Sequence, residues 1–223
     1  MTDRRAARLA RLDRSRLYLV SGARREIGDL EPFLDEVLDA GVDIVQLREK
    51  DAEAGDLLRW STVFRRAAAE HDALFIVNDR PDVAVAVGAD GVHVGQNDLP
   101  PAWARAIVGD DMLIGLSTHS EAEFAGADAA ADYLCAGPVH ATPTKPGRSA
   151  TGLELVRAAE QRVARGAEAR PWFVIGGIDA DAIADVRAAG ATRVVVVRAI
   201  GEAADPAAAT RALVTALRDV AAP

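Results

Sequence analysis

Eight short runs of β-branched and aliphatic residues alternate along the chain with longer segments of helical period. The runs are LYLVS (17–21), DIVQLR (43–48), LFIVN (74–78), GVHVG (91–95), LIGLS (113–117), YLCAG (133–137), WFVIG (172–176) and RVVVV (193–197). Between them lie amphipathic stretches such as LEPFLDEVLDA, DLLRWSTVFRRAAAEH, GLELVRAAEQRVARG and ADPAAATRALVTALRDV. Strict alternation implies parallel pairing, because each helix carries the chain back to the end of the sheet where the next strand begins. Eight such units in 223 residues fit a closed (β/α)8 TIM barrel. An open doubly wound sheet is the alternative, but its Gly-x-Gly-x-x-Gly turn is missing after the first run.

A weak internal repeat points the same way. AGVDIV, VGADGVHV, AADYLCAG and AGATRVVV each place small residues before a polar one and then a strand, as a glycine helix cap followed by a tight turn would. No linker or shift of composition interrupts the chain, so residues 1–223 read as one domain. The opening MTDRRAARLARLDRSR has no apolar core of a secretory signal and carries Asp3 and Asp13, unlike a transit peptide; residues 1–16 are expected to form a short leading helix or a frayed arm.

Composition narrows the function classes. Half the residues are hydrophobic but only 4% are aromatic, so the core must be aliphatic. No apolar run approaches the ~18 residues of a membrane span, and a net charge of -8 speaks against nucleic acid as a partner. The one cysteine, Cys135, has no partner for a disulfide or a zinc site and is expected to be a buried strand residue. A reducing, cytoplasmic setting is expected.

DIVQLREK concentrates the chemistry. While the chain is extended, Ile44, Gln46, Arg48 and Lys50 share one face and Val45 and Leu47 the other. In a barrel the first set climbs the interior toward the C-terminal rim, where active sites of this fold lie. An arginine there is costly unless it meets an anion; a structural ion pair with the next strand would be the bland alternative. Other strand ends are polar too: Asn78 and Asp79, then His93, Gln96 and Asp98, then Ser117 and His119. Arg48 and Lys50 can hold a diphosphate, the first as a fork and the second as a point charge. Asp79 and Asp98, on neighbouring strand ends, can share Mg²⁺ with substrate phosphates, although Asp79 could instead cap the helix at RPDVAVAVG.

The long segment from Pro138 to Ala150 suggests a functional loop. Gly176 and Gly177, with Val197 to Ala199, occupy the place where barrels often bind phosphate through backbone N–H groups. Ser117 and His119 stand two apart without an orienting acid, so no nucleophile–base pair is expected; His93 is read as lining for a flat heterocycle.

From Leu17 to the C-terminus the ordered motifs QLREK, Asn78–Asp79, HVGQND, GLSTH, GPVHATPTKPG, IGGI and VVRAI resemble thiamine-phosphate synthase. The resemblance implies a transferase of thiamine biosynthesis. It would join 4-amino-2-methyl-5-hydroxymethylpyrimidine diphosphate to a thiazole phosphate, with release of pyrophosphate. It also implies roles for residues. Gln46, Leu47, Arg48, Glu49, Lys50, Asn78, Ser117 and Lys145 would meet the pyrimidine diphosphate, with Arg48, Lys50, Lys145 and Ser117 catalytic. Asp79 and Asp98 would hold Mg²⁺, and Thr142, Pro143, Thr144, Gly177, Val197 and Arg198 would meet the thiazole phosphate. His140 and Arg198 depart from the family pattern, which often has an aromatic residue and a serine there. Partners would be small molecules, with neither nucleic acid nor membrane; assembly into a homo-oligomer stays open. The competing readings are a thiazole tautomerase-like isomerase and a non-catalytic sensor of phosphorylated ligands on the same barrel.

Overall fold

In the computed structural model, which describes residues 2–141 and 150–218, the eight runs close into a barrel in the order β1 to β8. The strands are β1 (Leu17–Ser21), β2 (Ile44–Leu47), β3 (Leu74–Asn78), β4 (Gly91–Val94), β5 (Leu113–Thr118), β6 (Tyr133–Ala136), β7 (Trp172–Ile175) and β8 (Val194–Val196). Every neighbouring pair is parallel, and β8 returns to β1 through Tyr18 opposite Val195. Outside lie α2 (Leu30–Asp39), α3 (Ala54–Glu70), α4 (Pro81–Val87), α5 (Pro101–Val108) and α6 (Glu121–Ala125). The ring continues with α7 (Gly152–Ala164), α8 (Ile183–Ala188), α9 (Arg198–Gly201) and α10 (Pro206–Arg218).

Period-two burial splits the apolar residues into two layers. Val45 and Leu47 pack with Phe64, Phe75 and Val77 between sheet and helices. Ile44 packs inside the barrel with Leu74, Ile76, Leu113 and Phe173. This is the alternation expected for β2, and it carries Gln46 inward, where it is buried. Cys135 is buried inside the barrel, as its strand position implied.

The leading segment is an ordered helix, α1 (Asp3–Arg14), and not a frayed arm. Thr2 accepts a hydrogen bond from the Arg5 N–H, Asp3 lies in the first turn, and Arg11 and Arg14 lie in the last, which suits the helix dipole at both ends. Its apolar side inserts Leu12, 1% exposed, and Leu9 into the inner core. Its arginines reach residues that open strands. Arg5 pairs with Asp132 at 2.5 Å, Arg8 with Asp90 at 2.9 Å, and Arg11 donates to the Ala73 carbonyl at 3.2 Å. The helix therefore lies across the N-terminal mouth of the barrel.

The repeat seen in the sequence has a mechanical meaning at this mouth. Asp43, Asp90 and Asp132 each precede a strand, and the Oδ2 of each accepts the N–H of a residue in the strand before: Leu17 at 2.9 Å, Phe75 at 3.0 Å and Ile114 at 2.8 Å. The carboxylates thus staple β2 to β1, β4 to β3 and β6 to β5. Gly88 ends α4 in the left-handed region at φ 64, as a glycine cap should. The fourth repeat, AGATRVVV, has Arg193 in place of an aspartate; its guanidinium faces Asp13 of α1 at 3.6 Å. No helix among the described residues is long and apolar enough to cross a membrane.

Candidate active site

Two contiguous cavities open at the C-terminal mouth, sharing Ile175, Val195 and Val197 as their common wall. The first, about 270 Å³, takes Gln46, Arg48 and Lys50 from the end of β2, Asn78 and Asp79 from β3, and Asp98 from beyond β4. His93 and Ser117 line its deeper part. The face predicted from DIVQLREK therefore reaches one cavity together with both candidate metal ligands.

The carboxylates meet because of a backbone turn. The Asp79 N–H still donates to the His93 carbonyl at 2.8 Å, continuing the β3–β4 ladder, but Asp79 itself is left-handed at φ 60. Aspartate is among the few residues that enter this region readily, and such positions cluster at functional sites. Asp79 does not cap α4, whose N-cap is Arg80 with no side-chain capping bond. Lys50 Nζ lies 3.2 Å from Asp79 Oδ2, while Asp98 Oδ2 accepts the Gly95 N–H at 2.9 Å. Burial, followed by the hydrogen bond and charge of Asp98, pushes the Asp79 carboxyl above its ordinary range, with Lys50 pulling it back. Two carboxylates in contact, with a cation on one of them, form a site that gains from a further positive charge.

Among the described residues no group of three or more histidine, cysteine or acidic side chains could hold a metal. Mg²⁺ takes one or two carboxylates and completes its shell with water and phosphate oxygens, a donor set of the kind Asp79 and Asp98 offer. The residues present fit such an ion.

Arg48 is half-buried and has no ion-pair partner among the described residues, so the structural pair considered for it is not formed; the carboxylate sits on Lys50 instead. Leu47 and Glu49 do not follow their neighbours. The Leu47 side chain is buried in the helix-facing layer, and Glu49 Oε1 accepts the Ala23 N–H at 2.7 Å, away from the first cavity. Both are turned aside by the strand alternation that brings Gln46, Arg48 and Lys50 in.

Ser117 has a partner that spacing did not suggest. Its Oγ lies 2.9 Å from His93 Nε2, whereas His119 Nδ1 meets the Gly137 carbonyl. The other nitrogen of His93 faces the Tyr133 hydroxyl at 3.2 Å.

The second cavity, about 390 Å³, is lined by Gly137, Gly176, Gly177 and the Val197–Ala199 turn. Here the end of β7 presses on the chain leaving β6. His140 N–H donates to the Gly176 carbonyl at 3.1 Å, and a Cβ on Gly177 would stand 2.8 Å from the His140 Cβ. Gly177 is also left-handed, at φ 65, so both space and backbone require glycine. The exit and return of the following loop are tied together, Thr151 N–H donating to the Pro138 carbonyl at 2.8 Å. Thr142, Pro143, Thr144 and Lys145 lie outside the described residues. Arg198 lines this cavity and an adjoining open groove that also holds Arg24 and Arg25.

Sequence reading missed Tyr18 and Tyr133, the only tyrosines of the chain. A signal existed: each is a polar-tipped aromatic within an otherwise aliphatic strand.

Known proteins are similar to this chain in sequence and in fold. The thiamine-phosphate synthase of Acidothermus cellulolyticus is 55% identical over 90% of this chain and 93% of its own. That of Mycobacterium leprae is 54% identical over 93% and 92%. Thiamine phosphate pyrophosphorylase from Pyrococcus furiosus superposes with a TM-score of 0.82 at 32% identity, covering 93% of this chain and 98% of its own. The family model described as thiamine monophosphate synthase matches residues 17–200. From the first strand to the turn after the last, the chain belongs to the thiamine monophosphate synthase family.

Proposed function

We propose that this protein is a thiamine-phosphate synthase. It condenses 4-amino-2-methyl-5-hydroxymethylpyrimidine diphosphate with a thiazole phosphate to give thiamine phosphate and pyrophosphate. The observation that carries the reading is the convergence of Arg48, Lys50, Asp79 and Asp98 on one cavity that shares a wall with a glycine-lined second one. An isomerase of the thiazole or a passive sensor has no departing diphosphate to neutralise, and this cluster would then have no work.

The diphosphate is assigned to the cation-rich rim, the pyrimidine to the deeper space beside Gln46, Asn78 and Ser117, and the thiazole phosphate to the second cavity. There the N–H groups around Gly177 and the Val197–Arg198 turn serve its phosphate, and the Arg198 guanidinium adds charge. Asp79 and Asp98 would hold Mg²⁺, which when bound supplies positive charge to the diphosphate. Arg48 and Lys50 neutralise the pyrophosphate as the C–O bond to the pyrimidine methylene breaks, and Lys145 is assigned the same work. The thiazole nitrogen then attacks the cationic methylene with a lone pair it already has. No general base is needed, because that nitrogen carries no proton to be removed. The shared wall sets the two rings side by side, and that proximity replaces a bimolecular encounter.

The buried single thiol Cys135 and the small-molecule cavities support a cytoplasmic enzyme whose partners are its substrates. Incubating the purified protein with both substrates and Mg²⁺ should yield thiamine phosphate and pyrophosphate, and EDTA should stop it. Folded protein that binds both substrates without forming product would exclude the reading.

A further inference from the structure

Beneath the cations and carboxylates, five side chains from five strands form one chain of hydrogen bonds. The Tyr18 and Tyr133 hydroxyls lie 3.1 Å apart, and both rings are completely buried. Gln46 Nε2 donates to the Tyr18 hydroxyl at one end. At the other, Tyr133 meets His93 Nδ1 at 3.2 Å, and His93 Nε2 meets Ser117 Oγ at 2.9 Å. Gln46, Tyr18, His93 and Ser117 line the floor of the first cavity, and Tyr133 joins them from behind it. Space for the chain is kept by Gly115 of β5, where a Cβ would stand 2.4 Å from both the Tyr133 hydroxyl oxygen and His93 Nδ1. A strand interior loses stability by carrying glycine, so this one marks a close approach that a larger residue would block.

Donor and acceptor capacity gives the chain a direction. An amide nitrogen only donates, so the Tyr18 oxygen accepts from Gln46, and its own buried proton has the Tyr133 oxygen as the acceptor within reach. A Tyr133 proton directed to His93 Nδ1 puts the proton of a neutral ring on Nε2, aimed at Ser117 Oγ. Burial pushes both phenols well above their ordinary pKa, so both remain protonated. We propose that Tyr18, Tyr133 and His93 are positioning residues. They form a one-way relay that holds Gln46 with its carbonyl, and Ser117 with its hydroxyl proton, available to the cavity. The floor then offers one acceptor and one donor, the pattern that reads an exocyclic amine beside a ring nitrogen. This specificity role rests on the aminopyrimidine reading above; the relay itself does not.

The test combines a spectroscopic and a binding readout on the full chain. Nitrogen-15 spectra of the histidine-labelled protein should show neutral His93 as the Nε2–H tautomer. In Tyr133→Phe that preference should be lost, whereas in Tyr18→Phe, which keeps the Tyr133–His93 contact, it should persist. Calorimetry with Mg²⁺ should show pyrimidine diphosphate binding weakened roughly five- to tenfold in each variant, the loss of one buried hydrogen bond. Inorganic pyrophosphate, which has no heterocycle, should bind as before. Should either variant fail to fold, the other, with the wild-type tautomer, still decides. An Nδ1–H tautomer in the wild type, or equal weakening toward both ligands, would overturn the relay. A correct tautomer in a protein that forms no thiamine phosphate would instead overturn the assigned reaction and leave the relay standing.

Discussion

Lys50 and Asp79, from the ends of adjacent strands, form the ion pair at the mouth of the first cavity, 3.2 Å apart, while Arg48 two residues earlier has no such partner among the described residues. The two cations of QLREK are thus prepared differently. Lys50 is held by a carboxylate whose other neighbour is Asp98, and Arg48 lines the same cavity without one among the described residues.

Replacing Arg48 by alanine should lower kcat/KM by about 2–4 kcal/mol of transition-state stabilisation, because a charge-assisted contact to the leaving pyrophosphate is lost. Steady-state kinetics with varied pyrimidine diphosphate checks this. An unchanged kcat/KM would leave Arg48 without a catalytic role.

The Asp79–Asp98 pair predicts a pH effect of definite sign. The Asp79 carboxyl is raised in the folded protein, so the folded state binds its proton more tightly than the unfolded chain does. Its contribution therefore favours folding below the ordinary carboxylate value and is lost as pH rises through the raised one. Asp98→Asn should remove the main electrostatic cause, raising the metal-free melting temperature at neutral pH and flattening its decline just above the carboxylate range. It should also abolish the melting-temperature rise that Mg²⁺ and pyrophosphate give the wild type. Thermal melts across pH, with and without the ion, measure all three.

Leu12→Ala tests the helix across the N-terminal mouth. The side chain is 1% exposed within the inner core, and its truncation should cost about 2–5 kcal/mol in denaturant unfolding. The kcat at a temperature where the variant is folded should change little, since α1 lies at the opposite end from the cations. A cost near zero would mean that the helix merely rests on the barrel.

Asp132→Ala should be as severe. The carboxylate is 7% exposed, pairs with Arg5 at 2.5 Å and Arg105 at 2.6 Å, and accepts the Ile114 N–H. Removing it leaves two largely buried guanidiniums and a strand N–H without their anion, at a cost of about 3–5 kcal/mol. Asp132→Asn should retain part of this, because its amide oxygen can still accept from Ile114. Urea titrations of the two variants separate the contributions.

The barrel was legible because its two periodicities are local. Alternation within β2 is enough to place Ile44 inside and Val45 outside, and the spacing of strands and helices is enough to close the ring. The same rule divides the carried-over motif. QLREK is contiguous in sequence, yet alternate residues face opposite ways, so Leu47 and Glu49 turn from the cavity their neighbours line. Contacts between distant strands were not legible. Tyr18 and Tyr133 are 115 residues apart, and Ser117 bonds His93 on the neighbouring strand and not His119 two residues on. The strand-opening aspartates are only polar residues before a strand by sequence, because nothing local says that a carboxylate reaches across to the preceding strand.

The helix over the N-terminal mouth makes the barrel a cup with one rim. Both substrates must descend from the same side, and the joined product, longer than either, has to leave past the groups that received its pieces. One opening then serves for both entry and exit.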